Sequence, residues 1–150
     1  MAQSLAKVLL HIIFSTKDRT ACIPQGVRSD LRAYTAGTLQ NLGCTLIEFN
    51  SLADHVHLLC TLSRTLSIAK LLEETKKASS KWLKPKALAL RNFHWQNGYG
   101  VFSVSPSNVR EVRRYIVNQE AHHRKVTFQE EFRAFLERHG IEYDERYVWD

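Results

Sequence analysis

Two histidines one residue apart, His55 and His57, and a downstream tyrosine, Tyr115, are side chains whose types and spacing could carry chemistry. Side chains alternate along an extended segment, so both imidazoles leave one face while Val56 and Leu58 leave the other. Two neutral ring nitrogens side by side on a rigid strand make a metal clamp. A half-exposed strand that carries two polar residues would read the same way, and the pair alone leaves both open. On a helix turning about 100° per residue, Tyr115, Gln119 and His122 fall within roughly 60° of arc, beside the apolar stripe Val109, Val112 and Ile116. A phenol has a pKa of about 10, so it attacks phosphorus at neutral pH only when a base or a metal assists. Without such company Tyr115 is a packing residue with its hydroxyl in water. His122 and His123 could reach a metal or a DNA phosphate; the alternative is a solvated basic helix end that suits the helix dipole.

The elements that must position these residues are legible in the hydrophobic pattern. Val8 to Phe14 is apolar on both faces, as a central strand is. A helix follows from Gly26, with Val27, Leu31, Tyr34, Thr38 and Leu42 at helical spacing and Gly43 as its stop. Cys44–Phe49 and His55–Leu62 read as strands. Ser67 can cap a second helix, which faces inward through Ile68, Leu71, Leu72, Thr75 and Trp82 and ends near Pro85. Asn97-Gly98 signals a hairpin between His94-Trp95-Gln96 and a strand at Tyr99–Val104. Pro106 and Ser107 open a helix to about Lys125. Thr127-Phe128-Gln129-Glu130 is a capping box for a last helix carrying Phe128, Phe132, Phe135 and Leu136. The order βαββαβ with two further helices predicts an α/β (α+β) fold of the ferredoxin-like or RRM-like kind, one domain across residues 1–150. Such a fold hosts many functions.

Composition limits the classes. The 150 residues are 44% hydrophobic and 24% charged, ordinary values for a folded domain. Three widely spaced cysteines form neither a CxxC pair nor a zinc spacing, which predicts reduced thiols and a cytoplasmic protein. The apolar N-terminal run is too short to span a membrane and reads as a strand. The net charge of +6 is uneven: Arg64 to Arg91 is rich in Lys and Arg, and the segment from Gln129 onward is acidic. A basic surface of this kind suits nucleic acid, or is simply a solvated helix face. The candidate DNA contacts are Lys76, Lys77 and Lys81, with Arg110, Arg113 and Arg114 around the tyrosine. Trp95, Tyr99 and Phe102 could stack on bases, with core or interface packing the alternative role. No Gly-rich phosphate loop, Ser-His-Asp order or paired-carboxylate motif stands out.

Asp54-His55-Val56-His57-Leu58-Leu59, the segment Trp95 to Val104 and Tyr115-Ile116-Val117-Asn118-Gln119 together resemble the single-tyrosine HUH transposases of small bacterial insertion sequences. The likeness runs in the same order over nearly the whole chain. His122-His123-Arg124-Lys125, Phe128 to Phe132 and the ending Tyr143 to Tyr147 resemble one branch of that family. The resemblance implies that His55, His57 and Gln119 ligate a divalent metal and that Tyr115 is the catalytic nucleophile. Tyr115 would form a 5′-phosphotyrosine bond and release a 3′-hydroxyl, and the retained bond energy would allow rejoining. It further implies single-stranded DNA with hairpin ends as substrate. A homodimer would share its sites, the histidines of one subunit meeting the tyrosine helix of the other. Magnesium is the metal expected by abundance, with manganese able to substitute, since imidazoles suit manganese better. The alternatives are a non-catalytic single-stranded nucleic-acid-binding module of the same fold and a domesticated HUH endonuclease.

Overall fold

The protein, seen in a computed structural model that describes residues 2–150, is built on one four-stranded antiparallel sheet. Its strands are β1 (Leu9–Ser15), β2 (Leu46–Ser51), β3 (His55–Thr61) and β4 (Gly100–Val104), in the spatial order β2-β3-β1-β4. Helix α1 (Arg28–Asn41) joins β1 to β2, and α2 (Ile68–Leu83) joins β3 to β4. This is the βαββαβ, ferredoxin-like arrangement expected from the sequence. Helices α3 (Val109–Val117), α4 (Gln119–His123) and α5 (Phe128–Arg138) follow.

β1 lies between β3 and β4, and every one of its residues is buried, which explains why its sequence is apolar on both faces. One sheet face carries Phe14, Val56 and Leu58 into a core with Leu31 and Leu39 of α1 and Leu71, Leu72 and Leu83 of α2. The other face carries Ile13 and Phe102 against Phe128, Phe132, Phe135 and Leu136 of α5. Ser67 caps α2 by accepting from the Lys70 N–H at 3.0 Å, and Thr127 caps α5 by accepting from that of Glu130 at 3.2 Å.

Three expectations change in detail. The buried stripe of α1 is Leu31, Thr35 and Leu39, while Tyr34 is exposed and stacks on Trp82. Asn97-Gly98 makes no hairpin turn: Gly98 stays out of the left-handed region that such a turn requires, and β4 pairs with β1 instead. The carbonyls of Gln96, Asn97 and Gly98 accept from the Lys76 ammonium, and the Gly98 N–H donates to the Asp150 carbonyl, so the segment finds its partners elsewhere. Finally, the helix expected to run unbroken to about Lys125 bends at Asn118, between α3 and α4.

Candidate metal and tyrosine site

Strand register puts the chemistry on one face. His57 lies opposite Ile13 on β1 and Asn50 on β2, and His55 lies opposite Ser15, so both imidazoles point away from the Val56 and Leu58 side. Helix α3 docks over this face at its edge. Asn50 Nδ2 donates to the Ile116 carbonyl at 2.8 Å, and Glu48 on β2 pairs with Arg113 at 3.5 Å. That docking sets the Tyr115 ring 5.9 Å from the His57 ring, centroid to centroid. Gln119, fully buried at the start of α4, brings Oε1 to 3.5 Å from His55 Nε2. The structure thus brings together His55, His57, Gln119 and Tyr115.

Helix α5 adds a residue that sequence reasoning missed. The Glu131 carboxylate is buried at the centre of the cluster. Its Oε1 lies 2.9 Å from His57 Nε2, 3.2 Å from His123 Nε2 and 3.8 Å from His55 Nε2. Its Oε2 accepts from the Tyr115 hydroxyl and lies 3.2 Å from His122 Nε2. His123 therefore faces the cluster and is not the end of a solvated helix. In the sequence Glu131 was one acid of an acidic segment, and its only positional signal was its place between Phe128 and Phe132 on the apolar side of α5.

Two further side chains hold the imidazoles from behind. Asp54 Oδ1 is 2.7 Å from His55 Nδ1, which leaves Nε2 facing the cluster. His11 Nε2 is 2.9 Å from His57 Nδ1. His11 looked like an interruption in an apolar strand; a histidine diagonal to another across paired strands was its only signal.

The electrostatics follow from burial. Burial pulls the His57 pKa down to about 4 even though the hydrogen bond to Glu131 opposes it, so the ring is neutral at pH 7. A carboxylate can only accept, so His57 Nε2 carries the proton and Nδ1 accepts from His11. Burial, and then the neighbouring His57, also lower His11 well below its ordinary value. Burial would raise Glu131, but hydrogen bonds from His123 and His57 outweigh it and keep the carboxylate ionised. Burial and the Glu131 charge together hold the proton on Tyr115 more tightly than in water.

The donor set fits a metal ion. One donor atom each from His55, His57, His123 and Glu131 all lie within 4.8 Å of one another. Ligands on a tetrahedral ion with bonds of about 2.1 Å stand roughly 3.4 Å apart, so closing the set takes shifts below about 1 Å for each donor.

The basic residues divide between the two layers. Arg110, Arg113 and Arg114 are exposed on α3, the layer that carries Tyr115, and Arg114 pairs with Glu111 at 3.5 Å. An open groove of about 610 Å³, lined by Arg114, Tyr115, His122 and Lys125, runs beside the tyrosine. Lys77 and Lys81 are exposed on α2, in the opposite layer. Lys76 is not a free surface cation. Besides its three carbonyls it lies over the rings of Phe14 and Tyr99, and burial lowers its pKa to about 8. Trp95 and Phe102 are buried in the two cores and offer no stacking surface.

The family profile described as "Transposase IS200 like" matches residues 4–119. The chain belongs to the IS200-like transposase family. Its fold is similar to that of a provisionally assigned transposase from Deinococcus radiodurans R1, known from a crystal structure, with a TM-score of 0.61 at 24% identity over 79% of this chain and 98% of that one. It is similar as well to a REP-associated tyrosine transposase bound to a REP hairpin, with a TM-score of 0.59 at 17% identity over 84% of this chain and 74% of that one. No curated relative matches the sequence. Glu131, His122 and His123 lie beyond the residues that the family profile covers. No helix among the described residues is long and apolar enough to cross a membrane.

Proposed function

We propose that the protein cleaves and rejoins single-stranded DNA through a 5′-phosphotyrosine intermediate at Tyr115, with a divalent metal held by His55, His57 and Gln119. The observation that carries this reading is the convergence of those four side chains in one cluster of a chain from a transposase family. The metal, when bound, withdraws charge from the scissile phosphate and helps the 3′-oxygen leave. Manganese suits the imidazoles better than magnesium does.

The side chains supply the rest. Tyr115 Oη forms the new bond to phosphorus as the bond to the 3′-oxygen breaks. Its proton passes to His122 Nε2, 3.3 Å from the hydroxyl, while Glu131 Oε2 accepts from that hydroxyl and orients it. Asp54 and His11 hold His55 and His57 in place. The groove beside Tyr115, with Arg114 and Lys125, takes the DNA backbone, and Arg110 and Arg113 extend the basic surface along α3. The hairpin in the REP-associated relative supports hairpin ends as the substrate form. The placement of Tyr115 against His57 supports a site assembled within one chain, acting as one HUH unit in the cytoplasm.

A non-catalytic module that binds strands on an open sheet fits less well, because α3 and α5 cover the face that would stack bases. The test is labelled single-stranded flanking DNA with manganese, run on a denaturing gel. Wild type forms a covalent adduct, and Tyr115→Phe folds and binds DNA but forms none. An adduct from the phenylalanine variant would show that another residue is the nucleophile.

A further inference from the structure

We infer that Glu131 and His123 are further metal ligands beside His55, His57 and Gln119, so that the centre gathers three histidines and a carboxylate and is selective for a transition dication such as manganese, cobalt or zinc over magnesium. The inference rests on the metal-dependent reading above and adds the segment beyond the family match.

The four donors come from three separate elements, β3, α4 and α5, and meet at a buried point. The side chains of His55, His57 and Glu131 are 1% exposed or less, and that of His123 is 11% exposed. One carboxylate oxygen already sits among the three imidazole nitrogens, at 2.9, 3.2 and 3.8 Å. Neutral imidazoles alone leave a buried dication uncompensated, whereas Glu131 offsets one of its two charges. Three nitrogens and one carboxylate are the donors that zinc, cobalt and manganese accept; magnesium demands oxygen and gives up water reluctantly. The backing of His55 by Asp54 and of His57 by His11 is the support that ligating histidines receive.

The position of Glu131 is enforced by packing. Thr127 caps the start of α5, and Phe128, Phe132, Phe135 and Leu136 on the same helix are buried against Ile13 and Phe102. The adjacent Phe132 packs directly on Gly100, where a Cβ would come within 2.7 Å of its ring. The backbone that carries Glu131 is therefore held over the cluster by packing on both sides of the residue.

The test uses Co²⁺ added to the metal-free full-length protein, followed by calorimetry and visible absorption. Wild type takes up one Co²⁺ with the bands of an imidazole–carboxylate set, and excess Mg²⁺ does not displace it. Glu131→Gln and His123→Ala each weaken uptake at least about tenfold. His123→Ala alters a partly exposed helix end, so its loss of uptake is separable from any folding defect of Glu131→Gln. As a measurement free of variants, the ¹⁵N imidazole spectrum of wild type should show His55, His57 and His123 shifting together on adding Zn²⁺. If both variants bind Co²⁺ as wild type does and the His123 resonances stay fixed while those of His55 and His57 move, the inference is overturned and the site of His55, His57 and Gln119 stands. If no histidine responds to metal, the metal-dependent function fails with it.

Discussion

Gly100→Ala tests whether the packing of α5 on β4 sets the metal site. The added Cβ would stand 2.7 Å from Phe132 Cε2 and 3.1 Å from both Phe132 Cζ and Phe102 Cε2. Carbon atoms in ordinary contact stand about 3.5–4.0 Å apart, so Phe132 or the whole helix must retreat by about 1 Å. Phe132 has little room, since it is buried with Phe128 and Trp149 ring centroids at 5.6 and 5.9 Å. Overpacking of this kind costs about 1–3 kcal/mol. For a chain of this length each kcal/mol moves Tm by about 2–4 °C, so thermal unfolding should begin about 2–12 °C lower. Because Glu131 precedes Phe132, the same retreat draws the carboxylate from the histidines and should weaken Co²⁺ uptake in calorimetry. Phe132→Leu in the Gly100→Ala background shortens the clashing group and should recover part of both losses, a coupling of about 0.5–3 kcal/mol in a double-mutant cycle. A Gly100→Ala protein with the stability and Co²⁺ affinity of wild type would refute the reasoning.

Manganese at about one hundred times its dissociation constant should raise stability by about 2.7 kcal/mol in thermal denaturation, and EDTA should remove both that increment and all DNA cleavage. Lys76→Met should cost about 1–3 kcal/mol by stranding the carbonyls that its ammonium serves, whereas Lys77→Ala and Lys81→Ala leave stability unchanged. With its folded pKa lowered to about 8, Lys76 binds fewer protons folded than unfolded between pH 8 and the ordinary lysine value of 10.5. Wild-type stability should therefore gain an increment as pH rises through that window, and Lys76→Met should lack it. If each chain builds its own site, mixed His57→Ala and Tyr115→Phe chains, shown by differential tags to exchange, should stay inactive; restored cleavage would show sites shared between subunits.

The strands, their order along the chain and the two helices between them were legible because burial on one or both faces leaves a period in the sequence. β1 is apolar on both faces, His11 and Ser15 apart, since it is central, and His55 and His57 share a face since side chains alternate. The Asn97-Gly98 signal misled because a local turn preference competed with a distant ammonium and the C-terminal Asp150 carbonyl, neither visible in a short window. The same blindness hid Glu131 and His11. A single acid near Phe132 or a single histidine in an apolar strand has no periodicity of its own, and its role exists only once α5 and β1 are packed against β3. The grouping of Lys76 with Lys77 and Lys81 failed similarly, because helical phase turns Lys76 toward Gln96–Gly98 and leaves the other two in water.

The cover over the β1–β3 face argues for function on energetic grounds as well. His11, His55, His57, Gln119 and Glu131 are buried there together, among the phenyl rings of Phe102, Phe128 and Phe135. Such groups are expensive to take out of water, and their mutual hydrogen bonds recover the cost without leaving a surplus. Apolar residues of similar volume would hold α5 on the sheet at least as well, as Phe132 on Gly100 already does a few ångströms away. Stability therefore gives no reason for a carboxylate and three imidazoles to meet at this point. Binding a cation and delivering Tyr115 to a phosphate do give one, and both need the helices that close the face. The same α3 and α5 that deny the sheet to stacked bases place Tyr115 and the carboxylate over His57, so loss of an open binding platform and assembly of the proposed site are one structural event.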